Sequence, residues 1–486
     1  MQKALKLTDF HYKTIHFIGI GGAGMIALAQ YLRAYGKCKI SGSDISQKAA
    51  LNDLVCQGIK VFNTHSQSNI KQASLVVYST AIDKDNVELQ EAKQKKIPCI
   101  HRSEFLNLMM AQYERKITIS GTHGKTTTTG MLIHILDVAG INPSFMIGGE
   151  IVPYNVNGRF SESTTFIAES DESDGSFLNL LPNFCIINNI EEEHLNHYKT
   201  KENLLNAFKK VIENVIDNNG VAIINADDKN INTLKKDLDT SQLFCFSLSD
   251  STQRIYTKNI IYDKQTTTFD LFENKTYLDT ITLNTLGTHN IYNALACISV
   301  CLAVGISITS IKKGLLNFKG VKRRLQLIAE SNSTKIFDDY AHHPTEIKTT
   351  LSGIKKAYNS SIICIFQPHR YSRTQELLDS FCDCFEDADT LILTPIFAAN
   401  EKETPKFKNL IDTLKKGIND SKKSPKDVQF LNSNEDIFNF INQCNLENTI
   451  IVTMGAGNIN NVSIELKNVF SNGGVQNKKT LQLSKQ

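Results

Sequence analysis

The chain has 486 residues, of which 41% are hydrophobic and 21% are charged, an ordinary balance for a globular protein. Its length corresponds to about three domains, at roughly 100–200 residues for each domain. The net charge is only +3, which gives no reason to expect a nucleic-acid partner.

The cysteines and the apolar segments indicate a cytoplasmic protein without membrane insertion. The eleven cysteines are scattered and include no Cys-x-x-Cys pair, which favours reduced thiols over a zinc site. The first residues, MQKALKLTDFHYK, lack the apolar core of a signal peptide. The most apolar long stretch, 291–308, contains asparagine, serine and glycine, so we expect a buried helix there rather than a membrane span.

Short β-branched runs alternate with helical stretches, which predicts an α/β protein with mostly parallel sheets and flanking helices. We divide the chain into three domains, at residues 1–113, 114–320 and 321–486. The first and third are expected to be Rossmann-like, and the second to be similar to P-loop ATPases.

In the first domain we predict strands at 14–18, 39–43 and 74–79 and helices at 23–35 and 88–95. Ser103 is the predicted N-cap of the closing helix. The first strand leads into a turn that contains Gly19, Gly21, Gly22 and Gly24, where the backbone is expected to approach a diphosphate at a helix N-terminus. Asp44 follows the next strand, where an acid is suited to bind a ribose hydroxyl. The turn by itself is equally compatible with NAD and with another nucleotide diphosphate.

The second domain opens with a predicted strand at 116–120 and a shortened phosphate loop, Gly-x-x-Gly-Lys-Thr, before a helix. The loop residues are Gly121, Thr122, His123, Gly124, Lys125, Thr126 and Thr127. Backbone N–H groups of such a loop cradle phosphates, the lysine reaches the β- and γ-oxygens, and the threonine hydroxyl is suited to bind Mg²⁺. The sequence therefore predicts an ATP site here. Further strands are expected at 165–169, 184–188 and 221–225, and added antiparallel strands within 254–283.

Acidic residues follow the strand at 165–169, and a histidine follows the strand at 184–188. Acids at the carboxyl end of a strand near a phosphate loop are placed to hold Mg²⁺, and we choose Glu169 for this role. For Asp171, Glu172 and Asp174 a solvated acidic loop is an equally good interpretation. His194 lies at the same predicted sheet edge, which favours metal binding.

Two interpretations stay open for the segment before the long apolar helix. His289 and Asn290 fit a loop and a helix cap, and they fit contacts with an adenine equally well.

Arg323-Arg324 lies at the start of the third domain, and these two arginines are suited to contact a phosphate at a domain junction. Its predicted strands are 335–338, 362–366, 390–393 and 450–453. Polar motifs with histidine and arginine follow the first two strands, DDYAHHPTE at 338–346 and QPHRYSR at 367–373, which predicts a binding cleft at that edge. We expect a flexible surface segment at about 400–426 and a disordered tail from 471.

Eight segments, in this order, give the chain a specific resemblance: SGTHGKTTTT, ESDESDGSFL, NNIEEEHLNHY, GTHNIYNALA, FKGVKRRLQ, DDYAHHPTEI, FQPHRYSRT and MGAGN. Together they resemble the Mur ligase family over nearly the whole chain, from about 14 to about 470. Within that family they are most similar to members that attach L-alanine to UDP-N-acetylmuramate. Glu193, Asn196 and Ala341 depart from the usual pattern.

The resemblance implies a role for each matching position. The implied catalytic residues are Lys125, His194, Arg324 and His342. ATP is expected at Gly121–Thr127 and at His289, Asn290, Asn293, Arg324 and Asp339. Mg²⁺ is expected at Thr126, Glu169 and His194, and the UDP end at Gly19, Gly21, Gly22, Gly24 and Asp44. The amino acid is expected at Tyr340, His342, Arg370 and Arg373.

The implied reaction is ATP-dependent amide formation through an acyl phosphate, by a monomer or weak homodimer. The closest alternative is the family's recycling reaction, which attaches a tripeptide instead of alanine. An alternative from another class is a nicotinamide oxidoreductase that binds its cofactor at the glycine-rich turn of the first domain. Such an enzyme would have no use for the phosphate loop of the second domain. A nucleotide-binding protein without catalytic activity is disfavoured by the candidate metal ligands.

Overall fold

The computed structural model describes residues 5–46, 49–236, 238, 240–263, 266–331, 334–399 and 401–471. These residues form an α/β protein with three mostly parallel sheets, as predicted. The chain divides into two compact units. The first is Met1–Ile261, Thr266–Asn284 and His289–Val321, and the second is Tyr262–Gln265, Thr285–Thr288 and Lys322–Gln486. The finer division at 113/114 and 320/321 stays a prediction.

The first sheet has five parallel strands in the order β3-β2-β1-β4-β5. The strands are β1 (Thr14–Ile18), β2 (Lys39–Ser43), β3 (Lys60–Phe62), β4 (Ala73–Tyr78) and β5 (Cys99–His101). The helices are α1 (Ala23–Tyr35), α2 (Ala49–Cys56), α3 (Val87–Gln94) and α4 (Arg102–Met110). The predicted cap at Ser103 is wrong, because α4 begins at Arg102 and its N-cap is His101, whose imidazole accepts the N–H of Ser103.

The second sheet has ten strands in the order β15-β14-β13-β12-β11-β10-β6-β9-β7-β8. Its first five strands in chain order are β6 (Arg115–Ser120), β7 (Ser144–Met146), β8 (Gly158–Arg159), β9 (Thr165–Glu169) and β10 (Phe184–Ile187). The others are β11 (Val221–Asn225), β12 (Leu243–Ser247), β13 (Ile255–Tyr262), β14 (Thr267–Glu273) and β15 (Thr276–Leu283). The last two pair antiparallel at the sheet edge, as predicted for 254–283.

Six helices accompany this sheet, and the most apolar of them is the buried helix predicted within 291–308. They are α5 (Lys125–Val138), α6 (Leu195–Tyr198), α7 (Lys201–Asp217), α8 (Lys229–Lys235), α9 (Thr288–Ala303) and α10 (Ile308–Asn317). Eleven of the twelve positions from Asn290 to Cys301 in α9 are buried, Tyr292 being the exception, which explains its apolar sequence. Within the described ranges, no helix is both long enough and apolar enough to cross a membrane.

The third sheet has six strands in the order β16-β17-β21-β18-β19-β20, parallel except for the pair β16–β17. The strands are β16 (Gln326–Ser331), β17 (Thr334–Asp339), β18 (Ser361–Phe366), β19 (Thr390–Leu393), β20 (Asp427–Phe430) and β21 (Thr449–Met454). The helices are α11 (Pro344–Ala357), α12 (Tyr371–Glu376), α13 (Leu378–Cys382), α14 (Leu410–Asp420), α15 (Asn434–Gln443) and α16 (Asn460–Ser471).

The prediction of a flexible surface segment at 400–426 is wrong for α14. Leu410, Leu414 and Ile418 are buried at a spacing of four residues, which gives this lysine-rich segment an apolar face. Asn400 and the predicted tail beyond Ser471 lie outside the described residues.

The first two sheets are packed tightly together within the first unit. The side-chain oxygen of Gln30, on α1, accepts the N–H groups of Asn157 and Gly158 at 2.8 and 3.2 Å. A Cβ atom at Gly158 would lie 2.1 Å from the carbonyl oxygen of Ala27, so only glycine allows this approach. One apolar cluster includes residues of both sheets. The N-terminal and central parts of the unit are therefore joined through a shared core.

The candidate nucleotide loops follow interior strands of the first two sheets. β1 lies between β2 and β4, and β6 lies between β10 and β9. The strands that follow β1 and β6 in the chain therefore lie on both sides of them, and the strand order reverses there. Crevices form outside the carboxyl ends of parallel strands where the strand order reverses in this way. The fold therefore places both glycine-rich turns where ligands bind in proteins of this class.

Candidate active site

The loop between β6 and α5 has the backbone conformation expected of a phosphate loop. Gly121 and Gly124 have φ values of +123° and +81°, which residues other than glycine rarely adopt. A Cβ atom at Gly124 would also lie 2.5 Å from the side-chain oxygen of Asn293. Both glycines are therefore required by conformation, and the second also by space.

Two asparagines after β10 fix this loop, although their importance was not predicted. Asn189 accepts the N–H of Thr122 through its carbonyl oxygen at 3.0 Å and the N–H of His123 through its side-chain oxygen at 2.8 Å. The Nδ2 group of Asn188 donates to Thr128 on α5 at 3.0 Å. The first N–H groups of a helix have no partner within the helix, so those of α5 remain suited to bind an anion.

Lys125 is held at the start of α5 by three acceptors. Its Nζ lies 2.7 Å from the carbonyl oxygen of Gly121, 3.1 Å from that of Thr122 and 2.8 Å from Oε2 of Glu172. Burial acts to lower the pKa of the lysine, but Glu172 and Asp171 outweigh this effect and raise it. Lys125 is therefore a cation at neutral pH.

Glu172, which the sequence left undecided, is the buried partner of that cation. Its side chain is 1% exposed, and Oε1 lies 3.9 Å from Nε2 of His194. Burial raises the pKa of Glu172, and the charge of Lys125 opposes that rise. Burial of this acid was not predicted, because the surrounding sequence ESDESD is typical of an exposed loop.

Thr126 and Glu169 meet, as expected from their positions after β6 and at the end of β9. The Thr126 hydroxyl donates to Oε1 of Glu169 at 2.9 Å, and the N–H of Gly148 donates to Oε2 at 2.7 Å. A hydroxyl oxygen and a carboxylate are ligands that Mg²⁺ prefers. The buried Oε1 of Glu172, which has no hydrogen bond among the described residues, adds negative charge to the same strand edge, so the donor set fits a divalent cation.

His194 lies at the beginning of α6 with a φ of +59°. Its Nε2 is 3.4 Å from Glu193 and 3.9 Å from Glu172. The structure therefore places His194 beside the acid that holds Lys125.

The predicted adenine-contact residues lie at the start of α9. Asn290 and Asn293 are buried, and the side chain of Asn293 donates to that of Asn290 at 3.1 Å. The side-chain oxygen of Asn293 also accepts the hydroxyl of Thr128, on α5, at 3.0 Å. Asn293 thus contacts the helix of the phosphate loop directly and Asn290 contacts Asn293, with His289 next to Asn290 in the chain.

In the first sheet, Asp44 closes the glycine-rich turn. Its Oδ2 accepts the N–H of Gly21 at 2.8 Å, and its Oδ1 accepts the N–H of Ser46. Gly19 has a φ of +79°, and Gly22 caps α1. The turn is therefore preformed around the carboxylate of Asp44.

Arg102 connects this turn to the acidic loop of the central sheet, a contact that was not predicted. A Cβ atom at Gly24 would lie 3.3 Å from Nη1 of Arg102, whose Nη2 is 3.3 Å from Asp174. Asp174 also accepts the hydroxyl of Thr80 at 2.5 Å. The pKa of Asp174 is lowered against the effect of burial, because hydrogen bonds and Arg102 favour its charged form.

The neighbouring residues Arg323 and Arg324 of the second unit have different environments. Arg323 is anchored, because its guanidinium donates to the carbonyl oxygens of Gly455 and Gly457 at 2.5 and 3.1 Å. Arg324 lies 3.8 Å from Glu346 and 5.3 Å from the centre of the Tyr340 ring, and it stays partly exposed. Of the two, Arg324 is the one whose guanidinium is not fixed by backbone carbonyl oxygens among the described residues, and its role in ligand binding stays a prediction.

Asp339, at the end of β17, is buried and binds neighbouring backbone N–H groups. Its carboxylate accepts the N–H groups of Leu325 and Ala341 at 2.8 and 2.7 Å. Burial raises the pKa of Asp339 to about 6, and Arg324 opposes this rise.

The polar motifs after β17 and β18 meet at one edge of the third sheet, as predicted from their positions. The rings of His342 and His369 are 6.0 Å apart, and Nη1 of Arg373 lies 3.4 Å from Nδ1 of His369. Burial, with a contribution from His342, lowers the pKa of His369 to about 4. Tyr340 precedes this group, and its carbonyl oxygen lies 3.0 Å from Nδ1 of His342.

Arg370 is directed by an acid from a neighbouring loop. Its Nε donates to Glu401 at 2.8 Å, and the hydroxyl of Ser372 donates to the same carboxylate. Arg370 has a φ of +72°, a conformation that is uncommon for a residue with a side chain.

Comparison with known proteins gives matches along most of the chain. Residues 14–114 match the Mur ligase family catalytic domain, 119–301 the Mur ligase middle domain, and 323–457 the Mur ligase glutamate ligase domain. A UDP-N-acetylmuramate–L-alanine ligase from Rickettsia bellii is 40% identical over 479 residues, which cover 96% of this chain and 98% of that protein.

Solved structures agree with these matches. A UDP-N-acetylmuramate–alanine ligase from Thermotoga maritima has a TM-score of 0.80 and 26% identity over 95% of this chain and 100% of its own. A murein peptide ligase from Psychrobacter arcticus has a TM-score of 0.68 and 25% identity over 95% and 99%. The chain therefore belongs to the Mur ligase family.

Proposed function

We propose that the chain joins the amino group of L-alanine to the muramyl carboxylate of UDP-N-acetylmuramate, with hydrolysis of ATP to ADP and phosphate, in peptidoglycan precursor synthesis. One observation carries this proposal: a phosphate loop with a partly buried lysine lies beside a carboxylate–hydroxyl pair in a chain 40% identical to such a ligase over nearly its full length.

The chemistry requires activation, because a carboxylate does not react with an amine at neutral pH. The muramyl carboxylate attacks the γ-phosphorus of ATP, the bond to the ADP oxygen breaks, and an acyl phosphate forms. The deprotonated amino group of L-alanine then attacks the acyl carbon, and inorganic phosphate leaves with the electron pair of the broken C–O bond. Negative charge increases on the phosphoryl oxygens in the first step, and a preorganised cation lowers that barrier.

In this proposal Lys125 supplies that cation, while the loop residues Gly121–Thr127 bind the ATP phosphates. Thr126, Glu169 and His194 would hold Mg²⁺, which neutralises phosphate charge when bound. The adenine is assigned to His289, Asn290 and Asn293. From the third domain we assign Arg324 and Asp339 to ATP, and Tyr340, His342, Arg370 and Arg373 to the amino acid.

Phosphate release from ATP by the full-length protein tests the function. We expect release only when UDP-N-acetylmuramate, Mg²⁺ and L-alanine are all present, together with a product whose mass equals that of the sugar nucleotide plus alanine minus water. Release with a tripeptide and none with alanine would assign the recycling reaction instead. Hydride transfer to NAD without ATP would remove the chain from the ligases.

The assignment of the UDP end to the first turn predicts the effect of Gly21→Val. A Cβ atom at Gly21 would lie 2.7 Å from Oδ2 of Asp44, so valine opens the turn and blocks approach of a diphosphate to the backbone. We expect a higher KM for UDP-N-acetylmuramate and a nearly unchanged KM for ATP. Steady-state kinetics with each substrate varied in turn provides the measurement, and a rise in the ATP KM alone would contradict the assignment.

A further inference from the structure

All three N–H donors of the Lys125 ammonium have acceptors within the chain. Two are carbonyl oxygens of the loop itself, those of Gly121 at 2.7 Å and Thr122 at 3.1 Å. The third acceptor is the Glu172 carboxylate at 2.8 Å. Because an ammonium has only three donors, a phosphate oxygen can bind Lys125 only if one of these acceptors is released.

Glu172 is the acceptor that is not part of the loop. The two carbonyl oxygens belong to the backbone that must cradle the phosphates, so their contacts with Lys125 are compatible with bound nucleotide. The carboxylate, in contrast, carries the same sign of charge as a phosphate and lies in the direction of the remaining N–H group. Glu172 therefore takes the place of a phosphate oxygen on Lys125.

The position of Glu172 is fixed by its own surroundings. The hydroxyl of Tyr198 donates to its backbone carbonyl oxygen at 2.5 Å, and its side chain is 1% exposed. Among the residues that the structure describes, Oε1 has no hydrogen-bond partner. When Lys125 turns to a phosphate, the carboxylate loses its main source of compensation and faces an additional anion, which is unfavourable in a buried position.

We propose that Glu172 is a positioning residue that occupies Lys125 in the nucleotide-free protein and thereby opposes the binding of metal-free nucleotide. This inference rests on the proposed function, because it requires that the loop binds ATP. A divalent cation carried by the nucleotide brings positive charge to the edge where Thr126 and Glu169 lie, and so offsets the charge of Glu172. Binding of ATP is then selective for its magnesium complex.

The test is calorimetric titration of the full-length protein with ATP, once with excess Mg²⁺ and once with EDTA. For Glu172→Gln we expect the Kd of metal-free ATP to fall by at least about tenfold, because a charge of the same sign is removed near the phosphates. The Kd of magnesium ATP should change much less, so the ratio of the two constants should shrink.

Glu192→Gln is the matched control. It makes the same chemical change on a residue of the neighbouring loop that is half exposed and pairs with Lys201 at 2.7 Å. We expect both ATP constants of this variant to equal those of the wild type. Thermal unfolding of each variant shows whether it is folded. If Glu172→Gln does not fold, Glu172→Asp replaces it: the shorter side chain moves the carboxylate away from Lys125, so the Kd of metal-free ATP should again fall, by a smaller factor.

Weaker or unchanged binding of metal-free ATP by Glu172→Gln would overturn the proposal, since Glu172 would then support the lysine rather than compete with phosphate. The titrations contain neither UDP-N-acetylmuramate nor alanine, so they stay interpretable if the proposed ligase reaction fails. If wild-type protein binds no ATP under either condition, the phosphate-loop assignment itself fails.

Discussion

Lys125→Ala should lower kcat by on the order of 10²–10³, because it removes one preorganised donor from the transferring phosphoryl group. Lys125 is the first residue of α5 and is partly buried, and two loop carbonyl oxygens direct its ammonium. Single-turnover measurement of phosphate release at saturating ATP isolates this effect from binding. Near-normal turnover with unchanged ATP affinity would contradict the phosphate-loop assignment.

The same substitution should also lower the free energy of unfolding. A cation at a helix N-terminus opposes the helix dipole by about 0.3–1 kcal/mol, so its removal alone would stabilise the protein slightly. The loss of the partner of a buried carboxylate costs more, about 3–5 kcal/mol, and Glu172 is such a carboxylate. The double variant Lys125→Ala/Glu172→Gln should regain much of this stability in chemical denaturation and still be inactive, which separates catalysis from folding.

Glu169→Gln should raise the Mg²⁺ concentration for half-maximal activity by roughly 10²-fold or more. Two unit charges about 4 Å apart near a protein surface interact by roughly 4 kcal/mol, and the amide removes one such charge from the divalent site. The substitution also replaces one of the two oxygens that accept the hydroxyl of Thr126 and the N–H of Gly148. Activity measured across a Mg²⁺ series provides the test.

Glu192→Gln again serves as the control for Glu169→Gln, since it makes the same replacement of a carboxylate oxygen by an amide nitrogen, but on an exposed residue. Its Mg²⁺ requirement should match that of the wild type. An unchanged Mg²⁺ requirement in Glu169→Gln would mean that another residue holds the cation.

Much of the fold and part of the site follow from the sequence because their signals are local. The contact between Thr126 and Glu169 was predicted correctly from their positions after two parallel strands, since the carboxyl ends of such strands lie at one sheet edge. The central strands β1, β9 and β11 have the predicted bounds, because apolar β-branched runs between polar turns have clear ends. Family membership, fold class and ligase activity were also correctly predicted.

The remaining features depend on contacts between distant parts of the chain. The sequence does not show that Glu172 is buried under Lys125, because the five residues around it are polar and the burial comes from other elements. His101 competed with Ser103 for the cap of α4, and imidazole is a rarer cap than a hydroxyl. The abundant lysines of the segment 400–426 concealed the apolar face of α14, which has only three residues.

The contact of Gly158 with Ala27 has a consequence for the choice of substrate. Because β8 and α1 approach so closely that a single methyl group would not fit, the glycine-rich turn and the phosphate loop belong to one compact unit. If the diphosphate of the substrate binds the turn and ATP binds the loop, the distance between the turn and the loop is set by the protein. The part of the substrate that links the diphosphate to the reactive carboxylate must span that distance. A sugar nucleotide with identical groups but a longer or shorter link between diphosphate and carboxylate would then be rejected for its length alone.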